Sequence, residues 1–380
     1  MLPIDYETLR VIWWLLLGVL LIGFAIMDGF DLGVAMCMPL IARNDTEKRI
    51  LINSIGPTWE GNQVWFILGG GAIFAAWPIL YAMAFSGFYF AMLLVLLALI
   101  LRPVGFKYRS KLTSPTWRAG WDLALFIGGF VPSLVFGVAM GNVLQGVPFH
   151  FDLLLRPFYT GTFLQLLNPF GLLSGILSVT MLIMHGACFI QLKTENPLTS
   201  RAENVSRIAA FLTLSLFLVA GAWLTQGHLT GYQLTSTLAT DGPSNPLHKS
   251  VMVNQLAWLQ NYHQYPFTML APLIACLGLF MVMLCKKWRK TVFAFSALSL
   301  AGIIGTVGVS MYPFILPSSS HPQHSLMIWD ASSSHLTLFI MLVATCIFLP
   351  IVLLYTAWVY RVLRGTISER FIQQHDHELY

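Results

Sequence analysis

Four ionisable residues lie inside or at the ends of long apolar runs: Asp28, Asp31, Glu60 and Arg102. A charge at the centre of a spanning helix costs roughly 2.5–3.5 kcal/mol on insertion scales, so such residues face a bundle interior or a water path. Asp28 and Asp31 are three apart and share one helix face. Glu60 opens the next apolar run within Trp59-Glu60-Gly61-Asn62-Gln63-Val64-Trp65, and Arg102 closes the one after. Two readings stand side by side. Carboxylates that exchange protons through water would make a proton path. Alternatively, Arg102 is a structural counter-ion to one carboxylate, and the others snorkel to the interface. Trp65 alone reads as a packing aromatic.

The elements that position these residues follow from composition. The 380 residues are 57% hydrophobic and 10% charged, with mean hydropathy +0.72. A soluble chain carries about 25% charged residues, so soluble enzymes and disordered linkers are excluded. The net charge of +5 forms no basic stripe for nucleic acid. Unbroken apolar runs, rather than alternation, exclude a β-barrel. The class is an all-α integral membrane protein with a single membrane domain over residues 1–380.

A spanning helix needs about 20 mostly apolar residues. Nine spans are predicted: 9–34, 58–78, 79–101, 121–141, 166–192, 208–226, 264–285, 291–312 and 336–360. A short interfacial helix over 47–56 ends at Gly56-Pro57. The weakest boundary is Trp77-Pro78, which alone separates the second and third spans. Eighteen of the 21 Lys and Arg fall in one set of alternate loops; only Arg10, Arg156 and Lys249 fall in the other. Basic loops stay in the cytoplasm. The C-terminus is therefore expected in the cytoplasm and the N-terminus outside. The start Met1-Leu2-Pro3-Ile4 has no basic n-region, so the first run is expected to stay as a helix.

Redox chemistry has little to stand on in this chain. The five cysteines (Cys37, Cys188, Cys276, Cys285 and Cys346) are odd in number and hold no CxxC pair. Haem in membrane helices takes axial His or Met, and His185 is the one His within a span, so a bis-imidazole site lacks its second ligand. His185 is expected to hydrogen-bond inside the bundle. A metal site from His321, His324 and His335 is not favoured. No catalytic residue and no metal ligand is assigned. A secondary transporter or ion channel suits intramembrane carboxylates, but the paired broken helices of that class are not evident. A haem-binding anchor of another respiratory complex would need the missing His pair.

At the level of motifs the chain resembles subunit II of the cytochrome bd-type quinol oxidases, bacterial terminal oxidases. The resemblance runs the whole length. It rests on Asp28-Gly29-Phe30-Asp31-Leu32-Gly33, Trp59-Glu60-Gly61-Asn62-Gln63-Val64-Trp65, Phe85-Ser86-Gly87-Phe88-Tyr89, Arg102-Pro103-Val104-Gly105-Phe106, Gln145-Gly146-Val147-Pro148-Phe149, Tyr312-Pro313-Phe314, Trp329-Asp330-Ala331-Ser332-Ser333-Ser334 and the terminal Glu378-Leu379-Tyr380. It implies two four-helix bundles plus one extra helix, in the bacterial inner membrane. The complex would oxidise ubiquinol or menaquinol and reduce O2 to water, taking substrate protons from the cytoplasm. Two haems b and one haem d would sit on subunit I, the partner. A small single-helix accessory subunit would join, with membrane lipid around the assembly, and this chain could hold a structural quinone. The resemblance implies a proton pathway through Glu60, Trp65 and Tyr380, to which the buried pair Asp28 and Asp31 is added from the residues themselves. Glu stands at position 60 where known members carry Asp, one methylene shorter.

Overall fold

The computed structural model describes residues 2–285 and 288–374. Its backbone is a bundle of long helices: α1 (Tyr6–Ile41), α3 (Trp59–Ala76), α5 (Tyr89–Tyr108), α6 (Pro115–Gln145), α7 (Pro169–Lys193), α8 (Leu198–Thr225), α10 (Leu270–Leu284), α11 (Arg289–Met311) and α12 (His335–Val362). Shorter helices α2 (Asp45–Ile55), α4 (Pro78–Gly87), α9 (Gln260–Gln264) and α13 (Glu369–Gln374) lie between or after them. Eight of the described helices are long and apolar enough to cross a membrane. The predicted second span, 58–78, folds as α3, which is not among those eight. Its opening Glu60-Gly61-Asn62-Gln63 is polar and lowers its apolar character.

The third predicted span is corrected. The chain does not run as one helix from 79 to 101. It breaks at Trp77, again at Phe88, and crosses as α5 from Tyr89. Pro78 disfavours helical geometry in the residue before it, and Trp77 accordingly adopts φ −136°, ψ 73°. The freed carbonyls of Ala75 and Ala76 accept from the Ser333 hydroxyl and amide. The second break follows Gly87, where an added Cβ would come within 2.8 Å of the Tyr159 ring. The predicted interfacial helix 47–56 is present as α2, capped by the Asn44 side chain accepting from the Glu47 amide at 2.8 Å.

α1 is the central element, and every residue from Asp28 to Met38 is buried. A helix apolar on all sides is a buried one. Here α1 packs on α3, α6, α7 and α11. Its approach to α7 is set by two glycines: a Cβ on Gly33 would lie 2.1 Å from the Leu182 carbonyl oxygen and 2.8 Å from the Gly186 Cα. Close backbone approach through small residues is how helices pack without a hydrophobic drive between them. One end of the bundle carries α2 and the basic loops. The other end carries three antiparallel hairpins: β1 (Phe149–Phe151) with β2 (Pro157–Tyr159), β3 (Gly231–Leu234) with β4 (Val251–Asn254), and β5 (Phe314–Leu316) with β6 (Leu326–Met327). The apolar core at this end includes Trp13, Trp77, Trp258, Phe149 and Phe314.

Candidate buried carboxylate site

α1 presents Asp28 toward α5 and Asp31 toward α3. Asp28 accepts from Arg102 through both oxygens, Oδ1 from Nη2 at 2.9 Å and Oδ2 from Nη1 at 3.3 Å. Both residues are 1% exposed. This two-pronged geometry is the strong form of a charged hydrogen bond. Gly128 on α6 leaves room for the arginine stem, since a Cβ there would meet the Arg102 Cγ at 2.9 Å. The guanidinium lies 5.8 Å from the ring centre of Trp59, which stacks on Phe106 at 5.3 Å. Arg102 is thus paired with Asp28.

Asp31 has no such cation. Its Oδ2 accepts from the Asn62 amide at 2.8 Å, and the Asn62 carbonyl accepts from the Tyr360 hydroxyl at 2.7 Å. Its Oδ1 is buried without a partner. Three helices, α1, α3 and α12, therefore meet in one hydrogen-bonded chain. Asn62 and Tyr360 were not singled out from the sequence. Asn62 carried a signal, as one of three polar residues in a span opening; Tyr360 carried none, lying 298 positions away.

Glu60 does not join this hydrogen-bonded group. It is exposed on the outer face of α3, with Val64, Ile67 and Leu68 further along the same stripe. Residues two apart on a helix point in nearly opposite directions, so Glu60 and Asn62 cannot share a face. Trp65 is buried and fits the notch of Gly23, where a Cβ would lie 2.5 Å from the indole. Tyr380 lies outside the described residues.

His185 is fully buried, with Nδ1 2.8 Å from the Ser296 hydroxyl and Nε2 2.9 Å from the Ile26 carbonyl oxygen. Its ring stacks on Phe293 at 4.8 Å. The hydrogen bonds inside the bundle are as expected, and neither nitrogen is free for an axial bond. Among the described residues no three His, Cys, Asp or Glu side chains converge as metal ligands would.

Several ionic contacts outside the spans escaped the sequence. Lys249 and Asp330 form a buried pair at 2.5 Å between two outer loops. Burial pushes the Asp330 carboxyl above the usual carboxylate range and pulls the Lys249 amine down, each opposed by the partner's charge. Arg10 is buried beneath the same loops and donates to the Thr240 and Gly242 carbonyls and to Ser244 and Ser332. At the basic end Glu47 is bound by Arg201, and that hydrogen bond holds its carboxyl below the usual range. Arg109 is shared between Asp45 and Asp122.

The fold and the site define a polytopic helical membrane protein with a dry ion pair beside a cation-less carboxylate. Comparison with known proteins gives the family. Residues 9–363 match the family model described as "Cytochrome bd terminal oxidase subunit II". The chain is 52% identical, over 99% of its length and 100% of the other, to the cytochrome bd-I ubiquinol oxidase subunit 2 of Escherichia coli strain K12. It is equally similar, at 52% over the same shares, to the probable cytochrome oxidase subunit 2 of Haemophilus influenzae. It is 30% identical over 96% of its length and 98% of the other to the cytochrome bd ubiquinol oxidase subunit 2 of Bacillus subtilis. A chain in the structure of the bd oxidase from Geobacillus thermodenitrificans shares the fold, with TM-score 0.68 over 94% of this chain and 98% of that one at 17% identity.

This chain belongs to the cytochrome bd terminal oxidase subunit II family. It is a multi-pass inner-membrane subunit of a quinol:oxygen oxidoreductase that works with subunit I and with haem in the complex. The transporter reading is thereby set aside.

Proposed function

We propose that this chain is the haem-free half of the oxidase and supplies a proton entry from the cytoplasm. In this reading it spans nine times, α3 being the ninth crossing, as two four-helix bundles plus one helix. The N-terminus lies outside and the C-terminus in the cytoplasm. Subunit I holds the two haems b and the haem d and oxidises ubiquinol or menaquinol; a small single-helix subunit and lipid complete the assembly, and a structural quinone is a further occupant of this chain. Glu60, Trp65 and Tyr380 form the entry, and Asp28 and Asp31 belong to the same proton-handling region, with Arg102 as counter-ion. The 18-to-3 distribution of Lys and Arg supports the orientation. The engagement of both His185 nitrogens supports the placing of haem elsewhere.

The observation that carries the proton entry is the position of Glu60. A carboxylate at the head of an otherwise apolar, outward-facing stripe of α3 is disfavoured against lipid. It is compatible with a contact to subunit I, where protons for O2 reduction are consumed. The test is Glu60→Gln in the purified complex. Quinol-driven O2 consumption is expected to fall by roughly a hundredfold, the low end of what a positioned proton-transfer group contributes, with the haem spectrum intact. Full turnover in that variant removes Glu60 from the path.

A further inference from the structure

A cavity of about 380 Å³ opens at the basic end, between the end of α2 and the turn before α3, the ends of α7 and α12, and the segment that follows α12. Its walls include Asn53, Ser54, Thr58, Lys193, Tyr360 and Arg364. At ~30 Å³ per water in the liquid, it has room for on the order of ten waters. Asn53, Ser54, Thr58 and Lys193 offer that water polar partners on a mostly apolar surface, and among the described residues no acid lines it. The wall facing the bundle interior includes Tyr360, whose hydroxyl donates to Asn62, which in turn donates to Asp31. The polar chain that starts at this cavity therefore ends on a buried carboxylate whose Oδ1 has no partner. Arg102 places its hydrogen bonds on Asp28 and none on that carboxylate.

We propose that this cavity is a hydrated vestibule through which protons from the basic side reach Asp31, a loading site separate from Glu60. It rests on the reading that this chain takes up cytoplasmic protons, and adds to it a second mouth and a named terminus. A proton carried by cavity water binds Oδ1 of the Asp31 carboxylate, giving the neutral acid. It leaves from the same oxygen, restoring the carboxylate. No bond between heavy atoms changes. Asn62 is a positioning residue. Its amide is a poor proton carrier, but it fixes the carboxylate through one end and the Tyr360 hydroxyl through the other. When that hydroxyl turns from Asn62 toward the cavity, water takes its place and reaches the carboxylate. Lys193 is held in the wall by its bond to the Leu363 carbonyl at 2.6 Å, with Arg364 beside it in the lining.

The test uses the purified, reconstituted complex with Tyr360→Phe, Glu60→Gln and Thr366→Cys. Tyr360→Phe keeps the ring and removes the donor to Asn62. It is expected to lower turnover about tenfold, the effect of losing one buried hydrogen bond, and to raise the solvent deuterium isotope effect, which a purely structural loss would leave unmoved. Thr366 is exposed at the rim. Thr366→Cys should turn over normally until a bulky maleimide is attached from the cytoplasmic side, and then slow to a similar degree. Redox-induced infrared difference spectra should carry a protonated-carboxyl band that is lost in Asp31→Asn and altered in Tyr360→Phe. Normal turnover and isotope effect in both Tyr360→Phe and the labelled rim variant overturn the vestibule. If Glu60→Gln is still slow in that case, the proton-entry reading survives without it. If Glu60→Gln is normal while Tyr360→Phe is slow, the vestibule is the entry and Glu60 is not.

Discussion

The ion pair between Asp28 and Arg102 makes a quantitative prediction about the dryness of this site. Both partners are 1% exposed, and two hydrogen bonds of 2.9 and 3.3 Å join them. With an effective dielectric of about 20 and charges about 4 Å apart, their attraction is ~4 kcal/mol. Removing one partner strands the other charge without water, and such truncations cost about 3–5 kcal/mol. At 1.4 kcal/mol per power of ten, Arg102→Leu should lower the folded-to-unfolded ratio by roughly two to four powers of ten. Removing both charges together, as in Asp28→Leu with Arg102→Leu, should recover most of that, because an apolar pair of similar volume is near neutral or better. The assay is unfolding of the purified two-subunit complex, followed by tryptophan fluorescence and by haem retention, for the parent, each single variant and the double variant. If Arg102→Leu is as stable as the parent, water reaches the pair and the site is not dry. If the double variant is no better than the single, the arginine's main debt is to Asp31, whose charge lies nearby.

Two further outcomes follow from the same geometry. The carboxyl of Glu47 is held below its ordinary value of 4.5 by the hydrogen bond from Arg201. A depressed folded value means its stabilisation is present above 4.5 and disappears as pH falls through the lowered value. Glu47→Gln should therefore be less stable than the parent at neutral pH, with the gap closing on acidification; a gap independent of pH would show that the charge is not what matters. His185→Phe keeps the stack on Phe293 and leaves the Ile26 carbonyl and Ser296 short of a partner, a loss of about 1–3 kcal/mol in thermal unfolding. Its haem bands in the oxidised and reduced complex should match the parent, and a missing band would make His185 a ligand after all.

Much of the fold could be read from hydropathy, because in a bilayer each crossing must be a continuous helix that satisfies its own backbone. The errors fell where composition and geometry part. α3 lacks a full spanning length of apolar residues because its first turns carry Glu60, Asn62 and Gln63. The break at Phe88 hides inside an apolar run, since it depends on Gly87 lying against Tyr159 from a loop far along the chain. That Arg102 lies near the α1 carboxylates was legible because the spans bring their basic-side ends together; that its partner is Asp28 rather than Asp31 was not. The buried pair Lys249–Asp330 was not, since two polar loops show no apolar run to mark either residue as buried.

The partition of the site turns on a single helical phase. Glu60 and Asn62 are equally visible in the sequence as polar residues in one turn of α3, yet a rotation of about 200° between them sends one to the surface and the other to the interior. Trp65, three positions after Asn62, follows it inward and is buried against α1. α3 therefore separates two carboxylate environments. One lies on the exposed outer face of α3. The other is sealed by α1, α5 and α12, with Arg102 committed to Asp28 and Asn62 bridging Asp31 to Tyr360. A proton on Glu60 would have to cross the packed face of α3 to reach Asp31, past Trp59 and Trp65, both buried. The interior acid has a polar neighbour leading elsewhere, to the wall of the cavity beside α12. Two acids that cannot exchange directly need two ways in, and for that reason variants at Glu60 and Tyr360 should be separable in turnover and isotope effect.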